Sequence, residues 1–319
     1  MKTVCYISRP DCPEGLLPLL CQAVEAYEAG RPLPEGTEVA LIYSGRNRLY
    51  RVDCSGLSYV LKRFARQGLI QRCLQRLGLR ASKAERSHRH SLILEERGIG
   101  VARSIGYAEH LQADGHCHSY HISLDLSASV AHLQAHARGW AVPEGFVPAL
   151  AEYLVAVHEA GIEHLDLSPG NILYRQEGGG EYHFAMVDLN RMRIHERPLS
   201  RREAITNMAR LMNTRSATRA LAYYYAQARG WAPERVQAEL EEATDAFWSA
   251  RHLKLSYRYA RRRYGMGLVA FVGMYLRYRL ALSLGRQTEA AVLYRRYLQR
   301  EDIRHIERRC RHFGYQYTD

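Results

Sequence analysis

The chain has 319 residues, 47% hydrophobic and 24% charged, which excludes a disordered polymer and allows one large domain or two lobes sharing a cleft. Its net charge of +12 is uneven: residues 1–190 carry 19 Lys and Arg against 21 Asp and Glu, and residues 191–319 carry 26 against 12. The last third must therefore face something anionic or spread its repulsion over solvated helices.

At the N-terminus, residues 3–7 form too short an apolar run for a signal sequence, and Arg9 follows at once, so a cytoplasmic protein is expected. One helix is predicted over 16–29, ended by Gly30 with Pro32 and Pro34 beyond it. Short strands follow at 39–43, 49–53 and 59–64, separated by turns at Ser44-Gly45-Arg46-Asn47 and Cys54-Ser55-Gly56, which reads as an antiparallel meander. A helix over 83–97 starts at Ser82 and stops at Gly98, and two more strands are expected at 102–109 and 119–124.

Beyond about residue 125 the pattern turns helical. Val147, Leu150, Leu154 and Val157 share one helix face, with Pro148 in the first turn and Gly161 at the end. Strands at 172–174 and 182–187 flank Glu177-Gly178-Gly179-Gly180, which reads as a hairpin turn rather than a phosphate loop, because it joins two strands. Everything after about residue 200 reads as helix, including the apolar spacing of Ile303, Ile306, Cys310 and Phe313. No window approaches the roughly 20 apolar residues of a membrane span. The best, 266–276, is stopped by Arg263 and Arg277 and reads as a buried core helix. The seven cysteines form no CxxC pair, which fits reduced thiols. The order of elements is that of an α+β chain with two lobes.

The segment carrying chemistry is His164-Leu165-Asp166-Leu167-Ser168-Pro169-Gly170-Asn171, between the apolar helix and the first hairpin strand. Val187-Asp188-Leu189-Asn190 ends the second strand, so the hairpin is expected to return Asp188 to Asn171. A carboxylate and an amide oxygen there can hold Mg²⁺, and Asp166 is free to face an incoming hydroxyl, as phosphoryl transfer requires. The competing reading makes Asp166 and Asn171 turn formers around Pro169-Gly170.

This segment resembles the HxDxxxxN catalytic loop of protein-kinase-like enzymes, with Asp166 as base and Asn171 as metal ligand, and Asp188 resembles the metal-binding Asp of DFG. Val60-Leu61-Lys62 resembles the V-A-I-K strand, which implies that Lys62 contacts the α- and β-phosphates of ATP. Glu85 is the implied partner of Lys62, although Ser82-Lys83-Ala84-Glu85 is also a capping box. Gly45 and Arg46 fall in the implied nucleotide loop, which keeps one glycine, and Ser123 and Asp125 complete the implied cofactor-binding set.

Arg80-Ala81-Ser82-Lys83-Ala84-Glu85-Arg86, Glu96-Arg97-Gly98-Ile99-Gly100, Ile105-Gly106-Tyr107 and Val187 through Arg193 resemble the lipopolysaccharide kinase (Kdo/WaaP) family. The resemblance spans roughly residues 37–215. It implies a protein-kinase-like two-lobed fold: a helical extension at 1–36, a small antiparallel-sheet N-lobe at 37–124 and a mainly helical C-lobe at 125–319. It also implies ATP and Mg²⁺ as cofactors, and as acceptor a sugar of the lipopolysaccharide inner core on lipid A at the inner face of the cytoplasmic membrane. Ser168, Arg191 and Arg193 are the candidate substrate contacts; the two arginines have a strand edge as their alternative.

Leu165 stands where HRD has arginine, Ser168 where many protein kinases have lysine, and Asn190 where DFG has glycine. These departures favour a small or lipid-linked acceptor over a protein. A protein kinase and a nucleotide-binding scaffold without activity are the competing readings. Tyr257-Arg258-Tyr259-Ala260-Arg261-Arg262-Arg263-Tyr264 and Tyr294-Arg295-Arg296-Tyr297 interleave rings and cations. They suit an anionic membrane surface or phosphorylated glycan; nucleic acid is the less favoured partner, and solvated helix faces are the plain alternative.

Overall fold

Six strands pair antiparallel in the order β1-β5-β6-β4-β3-β2, with β1 at Thr3–Ser8, β2 at Thr37–Ser44, β3 at Arg48–Cys54, β4 at Leu57–Arg63, β5 at Ser104–Leu111 and β6 at Cys117–Leu124. The computed structural model describes residues 3–65, 81–111, 117–126, 131–132, 145–177, 180–212 and 215–298. Strand alternation gives this sheet two different faces. Tyr59 and Leu61 of β4 and Tyr120 and Ile122 of β6 are buried in the cluster that also holds Leu17, Leu20, Cys21 and Val24 of α1 (Leu16–Glu28). Each such fully buried apolar side chain contributes about 1.5–3 kcal/mol. Glu28, the last residue of α1, clamps the helix to the sheet by accepting from Arg48, Tyr50 and Arg63. Val60, Lys62, His121 and Ser123, the alternate residues of the same strands, line the cleft instead.

Only a helix was expected in the first 36 residues; the structure adds β1 at the sheet edge. Its register sets Ser8 opposite Gly106 of β5, where a Cβ would run into the Ile7 carbonyl oxygen, so glycine is what lets the two strands close. The run was legible as apolar but too short to show its partner.

Helix α2 (Lys83–Glu96) opens on a capping box between Ser82 and Glu85. Helix α3 (Phe146–Glu159) leads into β8 (Ile162–His164), then a short 3₁₀ turn at Pro169–Asn171, β9 (Ile172–Gln176), β10 (Tyr182–Met186) and β11 (Met192–Ile194). β9 and β10 are antiparallel with Ile172 opposite Met186, β7 (Ala131–His132) adds to β9, and β8 pairs with β11. Gly178 and Gly179 of the turn lie outside the described residues. Phe146 packs edge-on against Tyr174, Tyr182 and Phe184, which seats α3 on the hairpin. The Met186 N–H donates to the Gly100 carbonyl at 2.9 Å, and a Cβ on Gly100 would meet the Phe184 carbonyl oxygen, so the chain after α2 lies directly against β10.

These elements form one compact unit, which ends at Leu199; the second runs from Ser200. The second unit holds α4 (Arg201–Met208), α5 (Arg215–Arg229), α6 (Pro233–Tyr264), α7 (Leu268–Ser283), α8 (Gln287–Leu293) and a π-helical turn at Tyr294–Leu298. Leu221, Ala222 and Tyr225 of α5 and Val236 and Leu240 of α6 are buried where these helices pack. The helical expectation at Ile303, Ile306, Cys310 and Phe313 lies outside the described residues. The expected buried core helix over 266–276 is corrected. Phe271 and Tyr278 of α7 are buried with Ala260, while Leu268, Val269 and Leu276 stand in solvent. An apolar run with no polar face cannot announce which side it buries.

Candidate active site

His164 organises the loop. It is fully buried; its Nδ1 accepts the Asp166 N–H at 3.1 Å and its Nε2 faces the Val187 carbonyl at 3.1 Å. A carbonyl only accepts, so the ring proton sits on Nε2. Burial lowers the pKa of His164, against the opposing pull of the Val187 carbonyl, Asp188 and Asp166, so the ring is neutral at neutral pH. The Leu165 N–H donates to the Arg191 carbonyl at 2.9 Å, and Leu167 is buried, which pins the loop from both sides.

Asn171 ties the far end. Its Nδ2 donates to the Asp166 carbonyl at 2.8 Å, and its own carbonyl accepts the Val187 N–H at 3.0 Å. The amide nitrogen is thus engaged inward and Oδ1 is the end left to act as a donor atom. Asp188 follows one residue later with φ 61°, a left-handed conformation that a residue with a Cβ adopts at a cost of about 1–3 kcal/mol. Its side chain is held by two groups. Lys62 Nζ lies 2.5 Å from Oδ1, and Asn190 Nδ2 donates to the same oxygen. Burial works against ionising Asp188, but the Lys62 ammonium outweighs it, helped by His164 and Asn190, and the carboxyl titrates below its usual range.

That balance gives a direct prediction. In Lys62→Met the burial stays and the ammonium goes, so the Asp188 carboxyl is expected to titrate above its ordinary value of about 4. Carboxyl-carbon NMR across an acid titration measures this; an unmoved Asp188 resonance would show that Lys62 does not set its charge.

Lys62, Asn171 and Asp188 line one cleft of about 600 Å³, with Val60, Leu49, Leu173 and Met186 as its apolar walls. Arg46, Ser123 and Asp125 line it too, and the Asp125 N–H is fixed by the Ser58 carbonyl at 2.8 Å. Gly45 does not line the cleft; a Cβ there would strike the Tyr43 ring, so its smallness serves packing within the β2–β3 turn. Asp166 and Ser168 are also absent from the lining. The Asp166 side chain is 38% exposed, with Arg191 Nη1 3.7 Å from Oδ2.

Two expected arrangements do not form. Glu85 does not reach Lys62: its carboxylate accepts from the Ser82 N–H at 3.3 Å, and the ammonium sits on Asp188. The capping box wins because Glu85 is the third residue of the helix, where the free N–H is nearest. Arg191 and Arg193 do not converge either. Arg191 approaches Asp166, whereas Arg193 pairs with Glu163 at 3.4 Å, its neighbour across the β11–β8 ladder.

Several site residues escaped the sequence reading. His121 stands opposite Lys62 in the β4–β6 register and lines the cleft. Its Nε2 lies 2.9 Å from Ser104 Oγ, which lies 2.8 Å from His88 Nδ1. Burial, with Lys62 and His88 adding to it and Asp188 opposing, pushes the His121 pKa down to about 3, so a neutral ring stands beside the ammonium. His90 of α2 donates from Nδ1 to the Leu189 carbonyl at 2.6 Å and fixes the residue after Asp188. Lys83, half-buried at the start of α2, is pushed toward its neutral form by burial and by Arg46, Arg86 and Lys62, with Asp188 opposing. Cross-strand counting from Lys62 could have found His121; nothing local marks His90, 99 residues from its partner.

The family model described as "Lipopolysaccharide kinase (Kdo/WaaP) family" matches residues 40–238. Among solved structures, "WaaP in complex with acyl carrier protein" is similar at 19% identity and a TM-score of 0.46, over 74% of this chain and 99% of that one. An aminoglycoside-3'-phosphotransferase of type VIII is similar at 14% identity and a TM-score of 0.40, over 70% of this chain and 99% of that one. No curated protein matches the sequence.

Proposed function

This chain belongs to the lipopolysaccharide kinase (Kdo/WaaP) family, a phosphotransferase family of protein-kinase-like α+β fold, and on that premise we propose that it transfers the γ-phosphate of ATP to a hydroxyl of a 3-deoxy-manno-octulosonic acid (Kdo) or heptose residue of the lipid A core. The observation that carries this reading is the convergence of Lys62, Asn171 and Asp188 on one cleft of about 600 Å³, with Asp166 on the loop that ends at Asn171.

The donor set fits Mg²⁺: Asn171 Oδ1 and a carboxylate held ionised at Asp188 are hard oxygen ligands, few enough to leave places for phosphate oxygens and water. When bound there with ATP, the metal neutralises phosphate charge. Lys62 grips the α- and β-phosphates from the strand floor, and its contact with Asp188 keeps the two charges at one point. Asp166 orients the acceptor hydroxyl and takes its proton; its exposed carboxylate suits an acceptor that arrives from outside the nucleotide cleft. Arg191, beside Asp166, is placed to meet an anionic sugar, and Ser168 lies on the same loop. The acceptor's acyl chains put the reaction at a membrane surface and its need for ATP puts it on the cytoplasmic side, and among the described residues no helix is long and apolar enough to cross a membrane.

Incubation with radiolabelled ATP, Mg²⁺ and Kdo-lipid A or a heptosylated acceptor tests the assignment. One phosphate gained on one core sugar by mass spectrometry is the expected result. Transfer to polypeptides with none to either glycolipid would make it a protein kinase; nucleotide binding with no transfer at all would make it a scaffold.

A further inference from the structure

Among the described residues, the most exposed apolar strip is on α7. Leu268, Val272, Leu276 and Leu280 recur every four residues and so form one strip along the helix, with Val269 beside it. Leu268 is 59%, Val269 87%, Leu276 62% and Leu280 57% exposed. The opposite side is fixed: Phe271, Tyr278 and Ala281 are buried with Ala260 of α6, Ala290 of α8 and Leu298. The strip is therefore not a core face turned the wrong way, since this helix already buries another. Large contiguous apolar surface in water marks a binding face.

The charges around it identify the partner. Between Asp245 and Glu289 the chain has nine Lys and Arg and no Asp or Glu. Arg261, Arg262 and Arg263 are exposed at the end of α6, just before the strip begins, and Arg279 is exposed on α7 itself, whereas Arg277 pairs with Glu289 at 2.6 Å. A second copy of the chain would oppose one strongly basic helical region with another, at a repulsive cost. A surface that is apolar along its centre and anionic at its edge meets both features at once, as a bilayer of acidic phospholipids does. With 16 residues, α7 is about 24 Å long, short of the roughly 30 Å hydrocarbon thickness, so it would lie in the interface plane rather than span it.

We infer that the outer strip of α7, with the arginines at the end of α6, is a docking surface for an anionic phospholipid bilayer. This rests on the reading above only in that a glycolipid acceptor is held in such a bilayer. The leucines and Val269 enter the acyl boundary, and the long arginine side chains reach back to the phosphates.

Flotation of the full-length protein with vesicles tests it without turnover. The chain is expected to float with equimolar phosphatidylglycerol and phosphatidylethanolamine and to stay behind with phosphatidylcholine alone, with the bound fraction falling as salt rises. Leu276→Glu with Leu280→Glu is expected to lower the partition coefficient at least roughly tenfold. Both side chains are exposed, and an unchanged circular dichroism melt checks the fold. Leu276→Trp is expected to blue-shift on vesicle addition and to be quenched by brominated acyl chains. Parental behaviour of the double glutamate variant, no quenching, or loss of a dimer or of an acidic protein partner in place of vesicle binding would each overturn the inference. A chain that floats as expected yet phosphorylates no glycolipid supports this surface and removes the catalytic reading alone.

Discussion

Asp166→Ala is expected to lower kcat for phosphate transfer by about 10²–10⁴ while the protein melts within a few degrees of the parent. The two effects separate because Asp166 does two jobs with different atoms. Its backbone N–H is bound by His164 and its carbonyl by Asn171, and alanine keeps both bonds. Its carboxylate is 38% exposed and 3.7 Å from an arginine that is itself 58% exposed, a geometry in which an ion pair is worth only about 0–1 kcal/mol. The loop thus keeps its shape and loses its base. ATP affinity is expected to hold, because Asp166 does not line the cleft. Steady-state kinetics with a glycolipid acceptor and a thermal melt on the same sample make the measurement. A variant within tenfold of parental kcat would show that this carboxylate is not the proton acceptor, and a collapse in melting temperature would show that it is structural.

The site was legible where its chemistry is contiguous. His164 through Asn171 fills one loop, and Asp188 lies one hairpin away, so spacing alone allowed their proximity to be expected. Lys62 was legible through its strand. Contacts made in space were not. The sequence shows both that Glu85 can cap α2 and that it could pair with Lys62, but not which donor is nearer, and the structure gives the N–H of Ser82. Alternate spacing suggested that Arg191 and Arg193 act together, yet the β8–β11 ladder hands Arg193 to Glu163 across the sheet. In the fold, the meander and α2 were readable from turns and a capping box. β1 was missed because an edge strand is defined by its partner, here β5 some hundred residues away. The outward strip of α7 was misjudged because hydropathy without a polar face carries no direction.

The second large effect concerns His164, whose buried ring bonds two part-buried backbone groups. His164→Leu keeps an apolar side chain in the site but leaves the Asp166 N–H and the Val187 carbonyl without their partner. An unsatisfied buried group costs about 1–3 kcal/mol and a part-buried one less, so urea denaturation is expected to show a loss of about 1–3 kcal/mol. Activity should fall by up to about 10² as well, because the same two bonds hold Asp166 on one side and the residue before Asp188 on the other. The pH dependence supplies the independent check. Burial lowers the folded pKa of His164, and likewise those of His88, His90 and His121. Below the unfolded imidazole value of about 6.5 the unfolded chain takes up protons that the native rings refuse, so stability falls as pH drops from there toward the native values. Each such ring contributes a slope of up to about 1.4 kcal/mol per pH unit. The parent should therefore lose stability steeply between pH 7 and 5, and His164→Leu, with one ring fewer, should lose it less steeply by about that amount. Equal slopes would mean that His164 is protonated in the native protein, and with it would go the neutral ring that accepts the Asp166 N–H.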